Sequence, residues 1–200
     1  MRLVLASASP RRAELLRAAG LSFGICAVEI DESPRPDEPA SVYVQRLASE
    51  KSARAQAVLA AANTRATVGE SGGDSPVIIG ADTAVVVAGE ILGKPRNAAD
   101  AESMLRRLSG RRHEVMTGVS VRKGVSELSR VETTVVHCTA LSDEDVAWYV
   151  SSREGLDKAG AYAIQGLASR FMPRIEGSYS NVVGLPVACV FDLLRQLGPS

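Results

Sequence analysis

Asp82 stands at the centre of the apolar run VIIGADTAVVV, residues 77–87. An ionised carboxylate loses its hydration in such a place, so it persists only if paired, metal-bound or set where the strand meets a cleft. Thr83 adds a hydroxyl directly after it, and the small Gly80 and Ala81 before it let another backbone or a ligand approach closely. On this stretch alone, a functional carboxylate and a strand-end aspartate bonded to a nearby loop are equally good readings. SASPRR places Ser7, Ser9, Arg11 and Arg12 at a strand-to-helix junction. Free backbone N–H groups and the helix dipole favour an anion there, and a guanidinium fork matches phosphate oxygens. The stretch lacks the glycine loop of a Walker motif, and in isolation it describes an ordinary capped helix with two solvated arginines.

Other charged positions are ambiguous one by one. Asp31 and Glu32 follow a second apolar run, Glu50 and Lys51 fall within a long helical stretch, and Lys94 precedes Pro95. Carboxylates and lysines near a phosphate-binding turn would make a metal and polyphosphate site, whereas each taken separately describes a solvated surface charge. Gln165, in AIQG, offers both a donor and an acceptor and could frame a base. His113 reads as a hydrogen-bonding residue at a strand start, and Trp148 and Tyr149 as helix packing.

The elements that must position these residues follow from periodicity. RLVLAS predicts a first strand, and SPRRAELLRAAG a helix with Ser9 as N-cap, Pro10 at its first position, Leu15 and Leu16 inward and Gly20 as stop. LSFGICAVEI predicts a second strand, and the acidic, proline-rich DESPRPDEP a loop. From Ala40 to Ala62 the spacing of Val42, Val44, Leu47, Ala48, Ala55, Val58 and Leu59 predicts a long amphipathic helix. NTRATVGESGGDSP, residues 63–76, has the Gly and Ser density of an exposed, flexible connection. GEILGKP predicts a turn with a short strand, and NAADAESMLRRLSG a helix capped by Asn97 and stopped by Gly110. Residues 112–122 and 128–140 alternate as paired strands around RKGVSE. Ser142 caps a short acidic-headed helix. The glycine-rich stretch after it resists assignment until a last helix at about 186–197. The order predicts one α/β domain over residues 1–200, with a mixed sheet.

Composition bounds the function. The chain has 200 residues and 46% apolar content, enough for a sizeable core. Lys plus Arg equals Asp plus Glu at 23 each, so no global field draws the protein to nucleic acid or an anionic membrane. Any anion must meet a local site. Cys26, Cys138 and Cys189 are far apart, and His113 and His137 lack zinc-ligand spacing, which fits a reducing cytoplasm and no zinc module. The N-terminal apolar segment is too short for a signal peptide, and VVGLPVACVF, broken by Pro186, is half a membrane span.

In this order, LASASPRR, EIDE, RLASEKS, IGADT, GKP, LSGRRHEVMTGV, DKAGAYAIQG and GSYSNVVGLP strongly resemble the Maf family of nucleoside triphosphate pyrophosphatases, over nearly the whole chain. The resemblance implies an elongated, two-lobed fold like that of inosine-triphosphate pyrophosphatases, with a deep substrate cleft between the lobes, and a homodimer. It implies hydrolysis between the α and β phosphates with Mg²⁺ or Mn²⁺. Asp82 would be the catalytic carboxylate, as water activator or metal ligand, and Glu32 would share the metal. Ser7, Arg11, Arg12, Lys51 and Lys94 would hold phosphates. GADT and AYAIQG resemble the branch acting on dTTP and UTP, where the positions of Arg11, Thr83 and Gln165 are associated with base choice. The rivals are a nucleotide-binding regulator of cell division without turnover and an inosine-triphosphate pyrophosphatase.

Overall fold

The computed structural model describes residues 2–66 and 75–198. It contains a seven-stranded mixed sheet in the order β2-β1-β3-β5-β6-β7, with β4 paired to β3. The chain forms two compact units: Met1–Asp82 with Thr117–Glu132 and Gly184–Ser200, and Thr83–Met116 with Thr133–Val183. The division falls within three strands: β3 (Val77–Val87), β5 (Arg112–Lys123) and β6 (Ser126–His137).

In the first unit β1 (Leu3–Leu5) lies parallel to β3 on one side and to β2 (Gly24–Ile25) on the other. Side chains alternate across a strand, so the odd and even positions serve different layers. Leu3, Leu5, Val77, Ile79 and Ala81 join a core with Ala13 and Leu16 of α1 (Pro10–Ala18) and Val190, Leu193 and Leu194 of α6 (Val187–Gln196). Val4, Ala6 and Ile78 pack instead with Ala55 and Leu59 of α2 (Ala40–Ala66). With helices on both faces, successive positions of β3 from Val77 to Ile79 are apolar, which is why the strand begins as a continuous run.

The second unit holds the end of β3, which turns back through Ala88 and Gly89, both at positive φ, into antiparallel β4 (Glu90–Leu92). It also holds α3 (Ala98–Leu108), α4 (Asp143–Ser151), two short 3-10 turns, β7 (Arg174–Glu176) and α5 (Tyr179–Val183). Asn97 Oδ1 accepts from Asp100 N at 2.9 Å, and Ser142 and Asp145 form a reciprocal capping box.

Most expected elements form where the sequence places them. The second strand is the main correction, because only Gly24 and Ile25 of LSFGICAVEI pair, against Val4 and Leu5. A three-residue β1 offers no longer ladder at this edge. The long helix runs four residues past Ala62, to Ala66. The rest of the expected connection lies outside the described residues, apart from Ser75 and Pro76. The stretch that resisted assignment consists of the two 3-10 turns, β7 and α5.

Candidate functional site

The first unit brings Asp82, Lys51 and Glu32 together. Gly80 faces α2, where a Cβ would lie 2.1 Å from the Ala48 carbonyl oxygen, so helix and strand meet in near backbone contact. Asp82 is two residues on and therefore on the same face. Among the described residues of α2 the buried positions are Val44, Leu47, Ala48, Lys51, Ser52 and Ala55, so a lysine occupies a place in the inward stripe. Its Nζ donates to Asp82 Oδ1 at 2.6 Å and pairs with Glu32 Oε1 at 2.6 Å. Lys51 and Asp82 are each 8% exposed, whereas the Glu32 side chain is about half exposed, at 53%. A buried ammonium holding two carboxylates satisfies charges that burial would otherwise penalise.

Glu32 lies in the 31–39 loop, and α2 anchors that loop at several points. Tyr43 Oη donates to the Glu32 carbonyl at 2.9 Å, and Arg46 grips Glu38 with two bonds of 2.6 and 2.7 Å while reaching the Ser33 carbonyl at 3.2 Å. The Arg46 hydrogen bonds hold the Glu38 carboxyl down at about 2. Burial, with the nearby charges of Asp82 and Glu32, pushes the Tyr43 phenol up to about 12, which keeps it a donor. Tyr43, Arg46 and Glu38 were not singled out from sequence. Their only signal was the position of Tyr43 and Arg46 on the helix that also carries Lys51.

Arg12 secures the other side of Asp82. Its Nε donates to the Gly184 carbonyl at 2.8 Å, and its Nη1 donates to the Ala81 carbonyl at 2.8 Å and to Ser7 Oγ at 3.2 Å. Ser9 caps the helix by accepting from Arg12 N, and Ser7 Oγ accepts from Ser9 N at 3.2 Å. Burial lowers the Arg12 pKa, while the charges of Asp82 and Glu32 oppose that shift. Arg11 is half-buried, so of the two adjacent arginines it has the greater solvent access.

Thr83, Lys94 and Gln165 belong to the second unit. Thr83 is half-buried, and Lys94 and Gln165 are exposed. Gly160 N donates to the Gly93 carbonyl at 3.0 Å, tying the chain before Gln165 to the residue before Lys94. His113 bonds the Tyr162 hydroxyl through Nε2 at 2.8 Å, as its place at a strand start suggested, and burial pulls its pKa down to about 4.

Two carboxylates on one cation, beside a capped helix start with a buried arginine, can receive a hard cation and a polyanion. Among the described residues no group of three His, Cys, Asp or Glu side chains could hold a metal ion. Two carboxylates alone still suit Mg²⁺, which is commonly held by one or two of them together with substrate phosphates. The donor chemistry of Glu32 and Asp82 therefore fits a divalent ion.

The chain is similar to known proteins over nearly all of its length. The family model for Maf-like protein matches residues 2–197. A dTTP/UTP pyrophosphatase of Anaeromyxobacter dehalogenans (strain 2CP-C) is 50% identical, covering 98% of this chain and 94% of its own. Proteins of the same name from Geobacter sulfurreducens and from Shewanella sp. (strain MR-7) are 48% and 47% identical. They cover 98% and 99% of this chain and 97% and 99% of their own. The Ham1 protein of Staphylococcus aureus aligns at a TM-score of 0.46 with 14% identity, covering 69% of this chain and 72% of its own, a likeness too slight to bear on function. A match over residues 2–197, with relatives 47–50% identical over at least 94% of their own lengths, makes the assignment plain: the chain belongs to the Maf-like protein family.

Proposed function

We propose that this protein hydrolyses dTTP and UTP to the monophosphate and pyrophosphate, clearing these and modified pyrimidine nucleotides from the cell's pool. The observation that carries the reading is the Lys51 ammonium, buried and shared between Glu32 and Asp82 at 2.6 Å each. The names of the full-length relatives supply the substrate class.

Hydrolysis of the α–β anhydride needs an activated water and compensation for charge moving onto the leaving pyrophosphate. Asp82 is the residue we assign to the water, as base or orienting acceptor. Glu32 and Asp82 would hold the divalent cation, which supplies Lewis-acid stabilisation of phosphate oxygens when bound. Lys51 stays within reach of both carboxylates and limits their mutual repulsion. Arg11, with its solvent access, and Lys94 are assigned to phosphate charge. Arg12, whose Nη1 also donates to Ser7 Oγ, holds the Ala81 carbonyl and so the strand that presents Asp82. Thr83 and Gln165 are assigned to the base, since a glutamine amide can pair with the O4/N3–H edge of uracil or thymine. We further propose a cytoplasmic protein that acts as a single functional domain and a homodimer, without nucleic-acid or membrane partners. Among the described residues no helix is long and apolar enough to cross a membrane.

The test is pyrophosphate release from dTTP, UTP, CTP, 7-methyl-GTP and ITP with Mn²⁺, for the wild type and Asp82→Asn. Asparagine keeps the shape and removes the charge. Turnover of dTTP and UTP by the wild type, lowered about 10³-fold by the substitution with nucleotide binding retained, is the expected result. Wild-type binding without turnover would return the chain to the regulator reading, and preference for ITP would make it a purine enzyme.

A further inference from the structure

Gln165 sits in a tight turn closed by Gly166 N donating to the Ala163 carbonyl at 3.1 Å. The two ends of this turn are held by two side chains that are bonded to each other. Ala163 N donates to the Tyr149 hydroxyl at 3.1 Å, and Leu167 N donates to the Glu154 carboxylate, 3.0 Å from each oxygen. Tyr149 completes the link by donating its own proton to Glu154 Oε2 at 2.8 Å. The carboxylate presses so closely on the turn that a Cβ at Gly166 would lie 2.0 Å from Glu154 Oε1. That contact explains the glycine after Gln165. Tyr149 is itself fixed, 1% exposed on the capped α4 and edge-on to Phe171 at 6.3 Å.

We propose that Glu154 and Tyr149 form a positioning pair that sets the Gln165 turn and thereby the base selectivity of the enzyme. The inference rests on the reading above that Gln165 meets the base, and adds what holds it in place. Neither Glu154 nor Tyr149 touches substrate. Together they fix the two backbone N–H groups on either side of Gln165, so that its amide meets the base edge in one orientation. Releasing either end lets the turn move, and a displaced amide pairs with uracil and cytosine more equally. Discrimination of this kind depends on donors and acceptors held in register with the base.

The test measures kcat and KM for UTP and CTP with Mn²⁺ in the wild type, Tyr149→Phe, Glu154→Gln, Gln165→Ala and the double variant Tyr149→Phe/Gln165→Ala. Phenylalanine keeps the ring packing and deletes the hydroxyl. Glutamine keeps the shape but cannot accept from Leu167 N and Tyr149 Oη through two carboxylate oxygens. Each of these two variants is expected to raise KM for UTP about tenfold, the worth of one well-made hydrogen bond, with kcat within about twofold. The UTP-over-CTP ratio falls with it. In the Gln165→Ala background the hydroxyl deletion is expected to change the ratio no further. An unchanged ratio in both single variants, or additive losses in the double variant, would overturn the proposal. So would failure of both to fold, which would make the pair a requirement of the core. A wild type that does not hydrolyse UTP defeats the functional reading first, and the inference falls with it.

Discussion

Arg12 gives its donors to the carbonyls of Gly184 and Ala81, so shortening it is felt in the backbone around Asp82 as well as in charge. Arg12→Lys keeps the cation but cannot reproduce the fork, and one buried carbonyl left without a donor costs about 1–3 kcal/mol. We expect a stability loss near 2 kcal/mol in urea unfolding, together with slower pyrophosphate release. A shift in KM with unchanged stability would instead mark Arg12 as a phosphate ligand. His113 supplies a pH dependence away from the chemistry. Its pKa is about 4 in the fold, because burial disfavours the charge, against roughly 6.5 when unfolded. The unfolded chain therefore binds a proton below about pH 6.5 that the native chain refuses until near pH 4. Stability contributed by the neutral ring is present above that window and is lost as pH falls through it. Between pH 7 and 5 the loss amounts to about 2 kcal/mol, and urea unfolding of His113→Gln is expected to lack this part of the slope.

The crossing of α2 over β3 decides whether Lys51 and Asp82 meet at all. Gly80→Ala inserts a methyl where the Ala48 carbonyl already lies 2.1 Å from an ideal Cβ, so helix and strand must separate. Overpacking of this kind costs about 1–3 kcal/mol. Because the displaced helix carries Lys51, turnover is expected to fall more steeply than stability, read by comparing pyrophosphate release with thermal unfolding. Asn97→Ala is the matching control. It removes the cap of α3 and costs about 1 kcal/mol, and it is expected to leave turnover unchanged.

For the whole molecule, the carboxylates of the site already share Lys51, so the fold does not need a metal to keep those charges apart. Chelation of divalent ions is accordingly expected to stop pyrophosphate release while moving the thermal midpoint by no more than about 2 °C. A large fall in the midpoint would show a structural ion. Much of the architecture was legible because its signals are local. Ser9, Pro10 and Gly20 delimit α1 through caps and allowed dihedrals that a short segment carries with it, and the β5–β6 hairpin follows from alternation around Gly124. The apolar continuity of β3 likewise announced a buried strand in which Asp82 needed a partner. What the local signals left open were questions of neighbours. LSFGICAVEI has strand character along its length, yet pairs only where the three-residue β1 offers a ladder. Arg11 and Arg12 are indistinguishable in sequence, and the seating of α1 on the sheet turned Arg12 inward toward Ala81 and left Arg11 partly in solvent. Tyr149 reads as packing until the return of the chain brings Glu154 and the Gln165 turn onto its hydroxyl. Most element types, much of the core and the anomalous aspartate were thus determined by the sequence itself, since propensity and periodicity act over a few residues. That Lys51 meets Asp82 and Arg12 meets Gly184 was decided only in the tertiary structure, because those partners lie far apart along the chain and meet only when the sheet is assembled.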